Sequence, residues 1–392
     1  MDILQELTLP ETWQAFIQYK TEKQHLSPAG QRVLEDFLAK GACVRAGELR
    51  ASDYVPPLPA KKEISKAGTD KKRTVYFYPE EFQTFLKVIA FLLYRYDGRF
   101  APNCYAFRRQ LGVSDAIRRL RSIRGLSRKY CFKVDIHNYF NSISVPRLME
   151  KLDFLKEADA PLYALFEKML TADAALENGK LCTEARGFFA NIYLSDIDWE
   201  FERQQVLYFR YSDDILLFAD SREELADLQR QLCQALDEHK LALNPQKLHV
   251  SAPGEAFEFL GFSYQDGRID LSENTIRKMK AKIRRKAHAL RRWQLAKGLS
   301  GDKAAKGLIH AMNCKFYGVH DEEEFSWSRW FFPNLTTTKG LEEIDAYMQQ
   351  YIRYAATGRH NKANYRIRYA TLKEWGYRNL VHEYYKERKT VE

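Results

Sequence analysis

Three carboxylates carry the chemistry this chain offers. Asp213 and Asp214 are adjacent inside Leu207-Tyr-Phe-Arg-Tyr-Ser-Asp-Asp-Ile-Leu-Leu-Phe-Ala219, and Asp135 interrupts the apolar run Tyr130-Cys-Phe-Lys-Val-Asp-Ile136. Neighbouring acids between apolar strands raise each other's pKa, and desolvating a carboxylate alone is costly, so each calls for a positive partner or a hydrogen-bond network. A divalent metal is the usual partner. Asp135 on one strand and Asp213-Asp214 on a neighbouring hairpin are the set needed to hold two Mg²⁺ ions about 4 Å apart for in-line phosphoryl transfer. One ion would lower the pKa of an attacking 3′-hydroxyl, and the other would steady a leaving pyrophosphate. Read alone, Ser212-Asp213-Asp214 is equally an ordinary turn.

The elements that must position these acids follow from periodicity. Apolar β-formers on both sides of the acids predict a hairpin with the carboxylates at or next to its turn. Upstream lie a buried strand at Tyr130–Ile136 and helices near Val145–Leu155 and Ala160–Leu170, and a further helix with an apolar face begins after Gly187. Downstream come an amphipathic helix from Arg222 to Lys240, a strand over Leu243–Val250, and a hairpin of Phe257–Tyr264 with Arg268–Leu271. The order strand, helix, hairpin, helix, strand describes a split βαβ sheet with helices on one face. Before it, Thr12–Tyr19 and Gln31–Leu38 have helical periodicity and end at Val55-Pro-Pro-Leu-Pro59. A basic, β-rich segment through Tyr78 and a helix to about Tyr96 follow. Asp115–Arg124 reads as a helix with one apolar and one basic face.

From Ser272 the chain is helical and basic. Arg277, Lys278, Lys280, Lys282, Arg284, Arg285, Lys286, Arg291 and Arg292 fall within sixteen residues. A solvated helix is one reading; with so few compensating acids the run repels itself unless an anion neutralises it, which favours contact with a phosphate backbone.

Composition agrees with a polyanionic partner. The 392 residues are 45% hydrophobic, enough for a large core, and carry a formal net charge of +10, which favours nucleic acid before membrane. No apolar run reaches the roughly 20 residues that cross a bilayer, and Met1-Asp-Ile-Leu-Gln-Glu-Leu7 does not read as a signal peptide, so a cytoplasmic protein is expected. The six cysteines are spaced for neither a zinc module nor a disulfide framework, so most are expected reduced and buried.

The ordered blocks resemble a reverse transcriptase. Phe132-Lys-Val-Asp-Ile-His-Asn-Tyr-Phe140 looks like the first catalytic-aspartate motif of that family, and Phe188-Phe-Ala-Asn-Ile-Tyr-Leu194 like the helix under template and incoming nucleotide. Tyr211-Ser-Asp-Asp214 looks like the Tyr-x-Asp-Asp hairpin, Asn244-Pro-Gln-Lys247 like the lysine motif, and Phe259-Leu-Gly-Phe262 like the primer grip. The resemblance implies an α+β right-hand polymerase with fingers, a ferredoxin-like palm and a helical thumb: a helical N-terminal extension over 1–60, fingers over 61–128, palm over 129–270 with a helical insertion near 146–178, and a basic thumb and C-terminal region over 271–392. It implies an RNA-directed DNA polymerase adding dNTPs with two Mg²⁺ ions held by Asp135, Asp213 and Asp214. Lys247 would protonate the leaving pyrophosphate, and Phe140 would reject a 2′-hydroxyl. Lys71, Arg73, Arg108 and Arg109 are candidates for the triphosphate, and Arg284, Arg285, Lys286, Arg291 and Arg292 for nucleic acid.

Softer motifs narrow the likeness. Asn313–Gly318, Trp327–Phe332, Leu341–Asp345, Thr357-Gly-Arg-His-Asn-Lys-Ala-Asn-Tyr365 and Leu372–Leu380 look like the C-terminal region of bacterial defence-associated reverse transcriptases of the unknown groups. That implies antiphage defence with a noncoding RNA and a DNA product, and self-assembly or a second defence protein. One departure stands out: family members usually carry Gly and, four residues later, Ser ahead of the Ala-Asn-x-Tyr-Leu run, where this chain has Cys182 and Arg186. Arg186 is therefore placed with the nucleotide-contacting residues, and unusual templating is expected. A catalytically idle RNA-binding scaffold or splicing helper and a template-independent terminal transferase are the alternatives.

Overall fold

The computed structural model describes residues 1–24, 26–65, 72–172, 185–318 and 326–391. They fall into two units, one of residues 1–23 and 28–260 and one of residues 24–27 and 261–392. In the first unit, α1 (Ile3–Glu6), α2 (Pro10–Gln24), α3 (Pro28–Ala39) and α4 (Ala42–Glu48) precede the antiparallel pair β1 (Ala60–Ser65) and β2 (Lys72–Phe77). Next come α5 (Glu80–Leu92), α6 (Val113–Ser122) and the central strand β3 (Tyr130–Asp135). Helices α7 (Val145–Lys151), α8 (Phe154–Ala158), α9 (Ala160–Thr171), α10 (Arg186–Tyr193) and α11 (Ser195–Arg203) separate β3 from the hairpin β4 (Leu207–Tyr211) and β5 (Asp214–Ala219). The unit closes with α12 (Arg222–Glu238), β6 (His249–Ser251) and β7 (Phe257–Phe259).

The sheet order is β4-β5-β3-β6, with every neighbouring pair antiparallel, which is the interleaving a split βαβ unit requires. β5 is central, and Ile215–Ala219 are all buried, as expected for a strand covered on both faces. The hairpin turns on Ser212-Asp213 alone, and Ser212 takes φ +62°, a left-handed backbone that allows a tight connection at a modest strain cost.

The N-terminal helices share this core. Trp13 packs edge-on against Phe85 with ring centroids 6.0 Å apart, and Asp159, which caps α9 through Leu162 N, also accepts from Ile3 N at 2.8 Å.

One predicted strand is mostly something else. Pro245–Lys247 forms a single 3₁₀ turn, Leu243 keeps an isolated bridge to Ile136, and His249–Ser251 pairs with β3. Pro245 has no N–H for a ladder, and Asn244 Oδ1 caps the turn by accepting from Gln246 N at 3.2 Å.

In the second unit β8 (Phe262–Gln265) and β9 (Arg268–Leu271) form a hairpin whose turn residues Asp266 and Gly267 both have positive φ. Ser272 then caps α13 (Glu273–Ala296) by accepting from Thr275 N. α14 (Gly301–Tyr317), α15 (Trp327–Phe331), α16 (Lys339–Thr357), α17 (Tyr369–Glu374) and α18 (Leu380–Val391) follow, with α13, α14 and α16 packed on one another. A Cβ on Gly301 would lie 1.9 Å from the Ala356 carbonyl oxygen, so the approach of α14 to the end of α16 needs glycine there. Among the described residues no helix is long and apolar enough to cross a membrane. Of the described cysteines, Cys104 and Cys131 are buried, whereas Cys43, Cys233 and Cys314 are only half-buried; fewer are buried than the sequence predicts, because these three lie on helices with a solvent-facing side.

Candidate active site

Strand alternation puts Lys133 and Asp135 on one face of β3, and the register sets Asp135 directly opposite Asp214 on β5. Asp213 occupies the turn, where its carbonyl accepts from Ile136 N at 2.9 Å. On the other side of β3, His137 N donates to Ala242 O and Asn244 N to Asp135 O, both at 2.8 Å. That clamp, together with the Pro245 turn, brings Lys247 Nζ to 2.6 Å from Asp135 Oδ2. The broken strand is therefore what positions the lysine.

The electrostatics are short of positive charge. Burial first, then Asp135, raises the pKa of Asp213. Burial pushes Asp214 up to about 7, with Asp213 and Asp135 adding to it and Lys133 opposing it. Lys133 Nζ lies 3.6 Å from Asp214 Oδ1, an atom that is buried and accepts no hydrogen bond. Two ammonium groups thus face three carboxylates.

Among the described residues no three Asp, Glu, His or Cys side chains are placed to hold a metal ion as they stand. The donor set nonetheless fits a hard divalent cation. All its donors are carboxylate oxygens, one is orphaned in the interior, and the clustered charge is relieved by a cation more than by solvent.

Beneath the turn lies a buried ion pair. Arg210 on β4 and Asp198 on α11 are both fully buried, with Arg210 Nε 2.7 Å from Asp198 Oδ1. Tyr208 Oη donates to the same carboxylate at 2.9 Å, and Asn103 Nδ2 to the Asp198 carbonyl at 2.9 Å. Arg210 Nη1 donates to Asn191 Oδ1 on α10 at 3.3 Å and to the Ser212 carbonyl at 3.2 Å, so the network ties α10 and α11 to the turn that carries Asp213.

A second cluster surrounds Phe140, which follows β3 in a 3₁₀ turn. Phe107 meets it edge-on at 6.2 Å, and the Arg186 guanidinium stands 5.9 Å over its ring. Gly187 makes room for Phe107, since a Cβ there would come within 2.5 Å of that ring. Phe107 itself has φ +55°.

Of the other basic residues, Arg108 and Arg109 line one cavity with Tyr94 and Asp97. Arg108 Nη1 donates to the Ala101 and Cys104 carbonyls at 3.1 and 3.2 Å, and Nε lies 3.6 Å from Asp97. It is engaged by its own loop. Arg109 donates its backbone N–H to Asp97 at 2.8 Å and lays its guanidinium 5.8 Å over Phe91. Arg73 lies on β2 opposite Ile64, and Lys71 and Cys182 fall outside the described residues. On α13, Arg284, Arg285, Lys286 and Arg292 are exposed, whereas Arg291 donates to Gln294 Oε1 at 2.7 Å and reaches the Ala356 carbonyl at 3.4 Å.

Lys133, Phe107 and Arg210 are the residues that the pattern of motifs does not single out. The signal for Arg210 and Lys133 is a cation inside an otherwise apolar strand, in Tyr208-Phe-Arg-Tyr211 and Phe132-Lys-Val134.

A family model described as reverse transcriptase (RNA-dependent DNA polymerase) matches residues 61–264. No curated protein matches the chain. Among solved structures, telomerase from Candida albicans bound to a telomeric RNA fragment is similar at 12% identity and TM-score 0.43, over 84% of this chain and 62% of that one. Apo telomerase from Candida tropicalis is similar at 11% identity and TM-score 0.44, over 83% of this chain and 70% of that one. The chain thus spans about three fifths of the Candida albicans telomerase chain.

Proposed function

Because this chain belongs to the reverse transcriptase family, whose model covers more than half of it, and has that family's right-hand polymerase fold, we propose that it is an RNA-directed DNA polymerase. The observation that carries the reading is the facing register of Asp135 and Asp214, with Asp213 in the adjoining turn and Asp214 Oδ1 buried without a hydrogen bond. Asp135, Asp213 and Asp214 would hold two Mg²⁺ ions, which supply Lewis-acid activation of a 3′-hydroxyl and charge neutralisation at the pyrophosphate. Lys247, already paired with Asp135, donates a proton to the leaving group. Phe140, braced by Phe107, sits five residues past Asp135 and excludes a 2′-hydroxyl, so dNTPs are taken. Residues 1–60 are the N-terminal extension, 61–128 the fingers, 129–270 the palm and 271–392 the thumb and C-terminal region, whose exposed Arg284, Arg285, Lys286 and Arg292 contact nucleic acid.

The finer reading is an antiphage enzyme of the cytoplasm that works with a noncoding RNA, as a homo-oligomer or with a second defence protein. Its C-terminal motifs support this. Arg186 over Phe140 supports unusual templating, restricted to a short RNA segment or partly replaced by protein contacts to the base. Two experiments test the proposal. Asp213→Ala with Asp214→Ala is expected to abolish both dNTP incorporation and phage restriction; intact restriction would favour the idle scaffold. Sequencing the DNA made with and without copurifying RNA is expected to show product confined to a short copied segment, and a faithful copy of any supplied heteropolymer would overturn the templating claim.

A further inference from the structure

Five Asp, Glu, Lys or Arg side chains are buried among the described residues: Asp159, Asp198, Arg210, Asp345 and Arg353. Asp159 and Asp345 are met by several N–H or O–H donors, and Asp198 and Arg210 by each other. Arg353 is different. It is 8% exposed, its Nε donates to the Ile367 carbonyl at 2.9 Å, and among the described residues no carboxylate pairs with it. A buried guanidinium without a counter-charge is costly, and an anion from outside is what would relieve it.

The space for that anion exists. Arg353 lines a cavity of about 330 Å³ with Gln350, His360, Asn361, Lys362 and Tyr365. The walls are a shaped loop. α16 ends at Gly358 with φ +75°, Thr357 Oγ1 donates to Asn364 Oδ1 at 2.8 Å, and Asn364 Nδ2 donates to the Arg359 carbonyl. His360 stacks on Tyr354 at 4.4 Å, with Tyr354 Oη 2.8 Å from His288 Nδ1. Tyr365 lies over Arg353 at 5.5 Å yet is 67% exposed.

Charge and chemistry identify the ligand. No acidic residue occurs between Asp345 and Glu374, while Arg353, Arg359, Lys362, Arg366, Arg368 and Lys373 all do. Exposed Arg359, Arg366 and Arg368 carry the positive charge past the cavity, further than one isolated phosphate needs. An exposed tyrosine at the mouth offers a stacking face to an unpaired base, and Gln350 and Asn361 offer paired donors and acceptors to its edge. We propose that this cavity binds one phosphate-and-base unit of single-stranded nucleic acid, with Arg353 and Lys362 on the phosphate, Tyr365 stacked on the base, and the flanking arginines following the backbone. The site belongs wholly to the second unit, so it goes beyond the polymerase reading and requires neither the three acids nor a metal.

The test is fluorescence anisotropy on the full-length protein, without Mg²⁺ or dNTPs, using a labelled single-stranded RNA and DNA decamer and a duplex control. Tyr365→Ala is expected to weaken single-strand binding by about five-fold or more. Lys362→Glu is expected to lower the slope of log K against log salt by about one, and ultraviolet cross-linking is expected to place an adduct on the peptide spanning residues 354–366. Both substituted residues are exposed, so the test does not depend on whether Arg353→Met folds. Unchanged affinity and salt slope in both variants would overturn the proposal. So would equal binding of the duplex, adducts confined to α13, or competition by AMP or inorganic phosphate as strong as that of the decamer, the last marking a mononucleotide or anion site. Asp213→Ala with Asp214→Ala is expected to keep single-strand binding and its salt slope, so failure of this proposal and failure of the polymerase reading are distinguishable.

Discussion

Arg210 and Arg353 are both buried guanidiniums, one in each unit, and their surroundings contrast. Arg210 is enclosed with Asp198, Asn191, Tyr208 and the Ser212 carbonyl, so its charge is consumed inside the fold and fixes the turn that carries Asp213. Arg353 meets a single carbonyl at Nε and the Tyr365 ring at 5.5 Å, and it lines a cavity. A buried cation with a complete set of partners positions a neighbour; one left incomplete is a binding group in waiting. The acidic centre shows the complementary imbalance, three carboxylates against Lys133 and Lys247, and asks for cations as Arg353 asks for an anion.

The sharpest way to break this contrast is to remove each arginine. Arg210→Met strands Asp198 as an uncompensated buried charge, and about 3–5 kcal/mol of stability should be lost, read as a lower urea midpoint or loss of soluble protein. Arg353→Met removes an unpaired charge and one hydrogen bond, so in nucleic-acid-free protein stability should change by no more than about 1 kcal/mol. Equal destabilisation by the two would erase the distinction.

A smaller effect concerns Asp345, which accepts from Tyr377 Oη, Leu380 N and Val381 N yet has its pKa raised, chiefly by burial. A carboxyl raised in the folded state binds its proton more tightly than the unfolded chain does. Its stabilising contribution is present below the unfolded value of about 3.9 and is lost as pH rises through the folded value. Asp345→Asn should flatten that part of the urea-derived stability profile relative to the parent protein; an unchanged difference between them across the window would show that the carboxyl is already ionised there.

What the sequence discloses follows from how local each signal is. Asp135, Asp213 and Asp214 come together because strand alternation and a two-residue turn are short-range properties, and the interleaved strand order follows from the order of apolar runs. Lys247 is placed less directly, since Pro245 replaces the expected strand by a turn whose direction only the pairing with β3 fixes. Arg210 escapes notice because its partner Asp198 lies on a different element and nothing local marks the two as a pair. Arg108 shows the converse: a count of basic residues cannot reveal which of them are engaged by nearby carbonyls and Asp97. Arg353 likewise has no local mark of burial, since the carbonyl it donates to belongs to Ile367, beyond the end of α16.

Whether the three acids form a metal-dependent polymerase site is decided by incorporation of labelled dNTP on a defined RNA template and primer at varied Mg²⁺. The parent protein should extend the primer only with divalent metal. Asp214→Asn should lose at least about 10³-fold in rate, the scale of removing a principal electrostatic element of catalysis, while melting at the same temperature or higher in chelator, because a buried, mutually repelling carboxylate is gone. Extension by Asp214→Asn at the parent rate, or extension undiminished in chelator, would contradict the account.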